Sequence, residues 1–81
     1  MKPTLPPRIR PALIDLIAGN IETFLQTERL GGNNCWFTGE EIAAKLAVPR
    51  TLAMTFNYAF GQLRFDRIEI DDVAGAIRHR P

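Results

Sequence analysis

The sequence of 81 residues predicts an α+β fold in which three helices are followed by a small antiparallel β-hairpin. Three observations predict it. Thr38 begins a segment with all the signals of a helix start. An apolar stripe at helical spacing then runs from Leu52 to Leu63. Finally, residues 67–71 alternate polar and apolar side chains, as a half-buried strand does.

The first ten residues are expected to form an extended arm. Pro3, Pro6 and Pro7 each push the preceding residue toward extended backbone. The arm has two open interpretations, a solvated tail or a basic segment that lies along a phosphate backbone or clasps a partner subunit. Its basic residues, with no acidic one beside them, are Lys2, Arg8 and Arg10. We therefore divide the chain into an arm, residues 1–10, and a single domain, residues 11–81, since this length has room for one core.

The first helix is predicted to begin at Pro11, because the missing N–H of proline is not needed in a first turn. Gly31 is expected to end it in the left-handed conformation. Additional apolar residues at Ala12 and Ile14 leave two interpretations open: all of them are core, or part of the helix is a dimer contact. The predicted apolar stripe is Leu13, Leu16, Ile17, Ile21, Phe24 and Leu25.

A very short strand is predicted at residues 35–37, on the edge of the hairpin, which would give three strands in all. Cys35 is expected to be a small buried or half-buried residue, and Trp36 to cover the core. As the single cysteine, Cys35 excludes an internal disulfide and favours a reducing compartment.

The second helix has a capping box at its start. The Thr38 hydroxyl can accept from the Glu41 N–H, and the Glu41 carboxylate can reach back to the Thr38 N–H. Phe37 and Ile42 can close over this turn as a hydrophobic staple. A tight turn follows at residues 47–50, with Pro49 expected at the first position of the next helix.

The third helix is predicted to present one apolar and one mainly polar face. Leu52, Phe56, Ala59 or Phe60, and Leu63 point inward at helical spacing. Residues 67–71 and 76–80 then form the two strands of the hairpin. Between them, Asp72 to Gly75 make the turn, in which Gly75 is free to adopt positive φ.

Residues 37–80 together resemble the winged-helix family. The resemblance is carried by the helix from Thr38 to Leu46, the stripe of Leu52, Phe56 and Leu63, and the strand with Ile68 and Ile70. It implies a winged helix-turn-helix fold, in which the hairpin is the wing. The fold alone does not fix function, because the same fold binds DNA, RNA and proteins.

In DNA-binding members of that family the third helix enters the major groove. The resemblance then implies that Asn57 or Gln62 pairs with adenine, and that Met54 or Ala53 touches a thymine methyl group. Arginines at the helix ends, in the arm and beyond the hairpin would neutralise phosphates. The full expected set is Arg50, Thr51, Met54, Asn57, Tyr58, Gln62, Arg64, Arg78, Arg80, Arg8 and Arg10.

The preferred interpretation is a small cytoplasmic regulator that binds double-stranded DNA. We expect a homodimer, because one module of this size contacts few phosphates. The alternative is a non-catalytic protein-binding winged helix, an adaptor or inhibitor that docks on a larger partner. It is favoured by the net charge of +1, the acidic hairpin tip at Asp71 and Asp72, and the adjacent Met54 and Tyr58.

Enzymatic chemistry has little support in the sequence. Cys35 and His79 are the only nucleophile and base of the usual kind, and we place them in unrelated surroundings. Neither a phosphate-binding glycine loop nor a metal-ligand spacing is present, so no cofactor is expected. The chain has no apolar run near the roughly 20 residues that span a bilayer and no apolar segment of a secretory signal.

Overall fold

The computed structural model describes residues 10–63 and 66–81. It confirms the predicted fold class: three helices and a three-stranded antiparallel sheet that ends in a C-terminal hairpin. The helices are α1 (Pro11–Leu30), α2 (Gly39–Lys45) and α3 (Ala53–Gly61), with a 3₁₀ turn at Arg50–Leu52 directly before α3. The strands are β1 (Phe37–Thr38), β2 (Ile68–Asp71) and β3 (Ala76–His79).

Helix α1 begins at Pro11, as predicted, and packs mainly on α3 and β3. Its buried side chains are Ile14, Ile17, Ile21 and Leu25, at spacings of three and four residues that place them on one face. The predicted stripe was wrong at Leu16, whose side chain is 59% exposed, while Ile14 is buried.

Helix α1 ends in a Schellman motif, one residue later than predicted. Gly32, not Gly31, has the positive φ, at 89°. The Gly32 N–H donates to the carbonyl of Arg29, and the Asn33 N–H donates to the carbonyl of Glu28. These bonds satisfy carbonyls that the end of a helix otherwise leaves open.

Helix α2 starts with the predicted capping box. The Glu41 N–H donates to the Thr38 hydroxyl oxygen (3.2 Å), and the Thr38 N–H donates to the Glu41 carboxylate (3.3 Å). The two residues of the predicted staple, Phe37 and Ile42, are both buried in the core. Phe37 also meets the ring of Phe24 edge to face, with 5.3 Å between centroids, which joins β1 to α1.

The turn between α2 and the 3₁₀ turn is a second Schellman motif. The Val48 N–H donates to the carbonyl of Ala43 (2.9 Å), and the Ala47 N–H donates to that of Ala44 (3.2 Å). Ala47 has φ 52°, a conformation that normally belongs to glycine. Pro49 was predicted inside the next helix but lies just before it, because the segment opens with a 3₁₀ turn in which Leu52 donates to the Pro49 carbonyl.

Replacing Ala47 by glycine is expected to stabilise the protein by about 1 kcal/mol, because it removes the steric cost of the left-handed conformation. The matched control is Ala44→Gly, three residues earlier and inside α2. It is expected to destabilise by about 1 kcal/mol. Urea unfolding measures both, and the same sign for the two variants would contradict the role assigned to Ala47.

The core lies between α1, α3 and the inner face of the sheet. Phe56, Ala59 and Leu63 are buried, Leu52 and Phe60 are half-buried, and the hydroxyl-bearing Thr55 is buried as well. The strand order is β1-β3-β2, so β3 is the central strand. Its register pairs Ile77 with both Phe37 and Ile70.

Two details of the sheet differ from the prediction and one confirms it. The first strand covers Phe37–Thr38 instead of residues 35–37, and Cys35 is exposed. Gly75 has φ 63°, which confirms its place in the hairpin turn. No helix among the described residues is long and apolar enough to cross a membrane.

Candidate binding face of the third helix

The predicted binding residues of α3 share one exposed surface. Thr55, Phe56 and Ala59 are buried and Phe60 is half-buried, so the remaining positions of the helix face solvent. Met54 is the most exposed apolar residue there, at 58%, and Tyr58 is partly exposed. We call this surface the outer face of α3, and it consists of Arg50, Thr51, Met54, Asn57, Tyr58 and Gln62.

A groove runs along one side of this face, between α2, α3 and the hairpin turn. Its apolar floor includes Ala43, Val48 and Phe60, and Asn57 lines it from α3. The hairpin turn lines the groove through Ala74 and Gly75, and Glu40 at the start of α2 is the one acidic residue among the described residues that line it.

Hydrogen bonds from the backbone of the hairpin turn hold the Asp71 side chain at the acidic tip. One carboxylate oxygen of Asp71 accepts from the backbone N–H groups of Val73 (3.1 Å) and Ala74 (3.2 Å). Asp72 and Val73 project into solvent. Because these carboxylates would repel phosphate, the tip is a poor contact for a nucleic-acid backbone.

The predicted phosphate contact Arg78 is engaged within the fold. Its Nε donates to the Glu69 carboxylate (2.9 Å), and a terminal nitrogen donates to the Asn34 carbonyl (2.9 Å). Its guanidinium also stacks over the ring of Trp36, 4.2 Å from the centroid. Arg78 therefore ties the hairpin to the loop before β1, and these contacts hold its guanidinium against the fold.

Arg67 and Glu22 form a second ion pair, between the hairpin and α1, at 2.9 Å. The hydrogen bond to Glu22 raises the pKa of Arg67, and the neighbouring carboxylate charge acts in the same direction. The hydrogen bond from Arg78 lowers the pKa of Glu69.

The pairing of Glu69 predicts a specific pH dependence. A carboxylate whose pKa is lowered on folding stabilises the fold above its unfolded pKa, near 4.5, and this contribution is lost as the pH falls through the lower folded value. Wild type should therefore exceed Glu69→Gln in stability at neutral pH, with the difference shrinking below pH 4.5. Urea titrations at both pH values measure it, and the dependence should become smaller in an Arg78→Gln background, because the hydrogen bond from Arg78 is the largest cause of the lowered pKa.

The remaining predicted residues fall in three places. Arg10 is exposed at the start of α1, where its carbonyl accepts from Leu13 and Ile14. Arg80 follows β3, at the end of the strand away from the hairpin turn. Arg8 and Arg64 lie outside the described residues, so their proposed phosphate contacts stay predictions.

The middle of the chain has a charge pattern that the net charge of +1 does not reveal. Between Glu41 and Asp66 there is no acidic residue. The interval covers most of α2, the turn and all of α3, and its basic residues are Lys45, Arg50 and Arg64. Both acidic pairs of this half, Glu40 with Glu41 and Asp71 with Asp72, therefore lie outside the outer face of α3.

Comparisons of the chain with protein-family models, with curated proteins and with solved structures found no match. The functional argument therefore depends on the geometry and chemistry of the outer face of α3.

Proposed function

We propose that this protein is a winged-helix protein that binds double-stranded DNA, with the outer face of α3 in the major groove, and acts as a transcriptional regulator. The observation that carries the proposal is the exposed outer face of α3, which has hydrogen-bonding side chains and no carboxylate.

The side chains on this face match the chemistry of base edges. An amide such as that of Asn57 or Gln62 can donate to and accept from adenine at once, and Met54 offers an apolar contact to a thymine methyl group. Arg50, at the start of the helix, is placed to meet a phosphate. Because residues 42–65 contain no acidic side chain, this stretch itself adds no repulsion to the approach of DNA.

The contacts within the fold also limit which residues can contribute to DNA binding. Since Arg78 bonds to Glu69 and Asn34 within the fold, we assign it to stability and not to DNA contact. The acidic hairpin tip is expected to stay off the backbone. Contacts beyond α3 would then come from the arm and from Arg64. A homodimer that spans two half-sites would double the number of phosphates reached.

A protein partner is the second candidate function, favoured by one observation. Met54 and Tyr58 lie one helical turn apart and are both exposed, which is the composition of a docking patch. In that case the protein would be a non-catalytic adaptor or inhibitor.

Fluorescence anisotropy with mixed-sequence duplexes at low salt tests the DNA proposal. We expect micromolar or tighter binding that weakens steeply with added salt. Arg50→Gln should weaken binding to every duplex and reduce the slope of log affinity against log salt by about 0.9. Asn20→Ala, an exposed polar change on α1, should leave binding unchanged.

No binding to any duplex at concentrations of tens of micromolar would reject the proposal. Purification from the native cell, with identification of the bound nucleic acid or protein, then separates the two candidates. A protein partner that is released by Met54→Asp, with no duplex binding, would establish the docking function instead.

A further inference from the structure

The side of α1 that faces away from the core has an uncharged stripe along the whole helix. Two of its residues are large and apolar, Leu16 at 59% exposure and Leu30 at 81%. Positions along the stripe are separated alternately by four and three residues, the spacing with which two paired helices contact each other. We call this stripe the outer seam of α1, and its six exposed residues are Ala12, Leu16, Gly19, Thr23, Gln26 and Leu30.

Gly19 lies in the middle of this seam, where the monomer has no use for a glycine. A glycine inside a helix costs about 1 kcal/mol relative to alanine. Gly19 has no positive φ, and a Cβ at this position would have no neighbour within 4 Å among the described residues. A larger residue therefore fits the monomer, whereas a second backbone that approaches closely would favour glycine.

The charged residues beside the seam complement each other. Asp15 and Arg29 flank its two ends on the same side of the helix, two heptads apart. Asp15 is exposed and makes no hydrogen bond or ion pair within the part of the chain that the structure describes. Arg29 donates from one terminal nitrogen to the Asn34 side chain (2.7 Å), and its charge extends to Glu69, which Arg78 holds. A guanidinium has five N–H donors, so Arg29 can also meet a carboxylate across the seam.

These charges specify an antiparallel pair of α1 helices. When a second copy of α1 runs in the opposite direction, Asp15 of one copy lies opposite Arg29 of the other, and the two-fold axis repeats this ion pair. In a parallel pair Asp15 would instead lie beside the uncharged Asn20 of the second copy. Glu22 meets its own copy near the two-fold axis, but its charge is balanced by Arg67 at 2.9 Å.

The antiparallel alignment also matches residue sizes across the seam. Large residues lie opposite small ones at both ends, and small residues near the two-fold axis let the backbones approach closely. The seam extends along a helix of 20 residues, about 30 Å in length. One helix against another buries less than a standard interface of roughly 1,600 Å², so we expect a weak and reversible dimer. The contacts, each formed twice, are Leu30 with Ala12, Leu16 with Gln26, and Gly19 with Thr23.

We propose that the outer seam of α1 is a homodimer interface, in which two seams pack antiparallel and Asp15–Arg29 ion pairs fix the alignment. The partner is a second copy of this chain. The proposal deepens the proposed function by assigning a surface to the homodimer that would reach two half-sites. The seam shares no residue with the outer face of α3, so the interface can be tested without DNA.

Sedimentation velocity without DNA, from low micromolar to near-millimolar protein, tests the interface. We expect monomer at the low end of this range and dimer at the high end. Asp15→Lys should weaken the dimer roughly tenfold, because two attractive pairs become repulsive. Asp72→Lys, the same charge change at the exposed hairpin tip, should leave the dimer unchanged. A monomer at every concentration, or equal weakening by the two variants, would overturn the proposal.

A mixture of Asp15→Lys with Arg29→Glu tests the antiparallel alignment directly. Each variant alone places like charges opposite one another, whereas a heterodimer of the two has opposite charges at both positions. The mixture should therefore dimerise roughly tenfold more tightly than either variant alone. Circular dichroism shows whether Arg29→Glu is folded without its bond to Asn34, and two folded variants that do not recover when mixed rule out the alignment.

Gly19→Gln separates the interface from the fold and serves also if Arg29→Glu is unfolded. At low micromolar concentration, where we expect monomer, urea unfolding should find the variant at least as stable as wild type, because glutamine favours a helix and meets open space. Its dimer should be weakened about tenfold, because the added side chain keeps the helices apart. Dimerisation equal to that of wild type would contradict the interface.

The fate of the DNA proposal is measured separately. Fluorescence anisotropy with a duplex reports on α3, and sedimentation reports on α1 in the absence of DNA. A chain that dimerises through the seam but binds no duplex keeps the interface and loses the DNA proposal. A chain that binds duplexes but stays monomeric at every concentration gives the opposite result.

Discussion

Leu25→Ala is expected to destabilise the protein by about 2–5 kcal/mol, enough to leave a large unfolded fraction at 37 °C. Leu25 is 1% exposed and belongs to the central cluster with Ile21, Phe37 and Ile77. Truncation removes the transfer free energy of three carbons and leaves a cavity that neighbouring side chains fill only in part. A domain of this size has a total stability on the order of 5–10 kcal/mol, so one such cavity is a large share of it.

The matched control is Leu16→Ala, the same substitution on the same helix. Leu16 is 59% exposed, so its truncation should change stability by less than about 0.5 kcal/mol. Urea unfolding followed by circular dichroism measures both variants. Equal losses would contradict the assignment of the two faces of α1. A loss at Leu16 that grows with protein concentration would instead mark this face as the contact of a homodimer.

The second large effect is expected in sequence discrimination by Asn57→Ala. If Asn57 pairs with adenine, the variant should lose about 1–3 kcal/mol of preference at one base pair, or roughly 5- to 150-fold. The affinity of the variant for duplexes with another base at that position should change much less, because the phosphate contacts remain.

Selection from a pool of randomised duplexes, followed by competition binding, measures this change. Asn20→Ala is the control, an exposed asparagine on α1 away from the outer face of α3. Equal weakening across all duplexes would assign Asn57 to the backbone and not to a base. Arg50→Gln gives the contrasting pattern, a uniform loss with unchanged preference.

Features fixed by residues close together in sequence were predictable. The capping box of Thr38 and Glu41 spans one helical turn. The hairpin turn needs a residue with positive φ, and Gly75 supplies it. The prediction was wrong by one or two residues where neighbouring residues were equally suitable for the same position. Gly31 and Gly32 can each end a helix, and on a 20-residue helix with many apolar residues either Ile14 or Leu16 fits a stripe.

The rest depends on contacts between distant segments. The bonds of Arg78 to Asn34 and of Arg67 to Glu22 join residues more than 40 apart, so sequence gave no reason to assign Arg78 to the fold. The lack of acidic residues on α3 can be read from the sequence, because none occurs between Glu41 and Asp66.

The strand order has a consequence for biosynthesis. Because β3 lies between β1 and β2, neither of the outer strands has a pairing partner until residues 76–79 have left the ribosome. A chain that stops earlier therefore lacks the central strand, and with it Ile77, which belongs to the core formed with the helices. Released chains that end before and after β3 should therefore differ sharply in their resistance to protease.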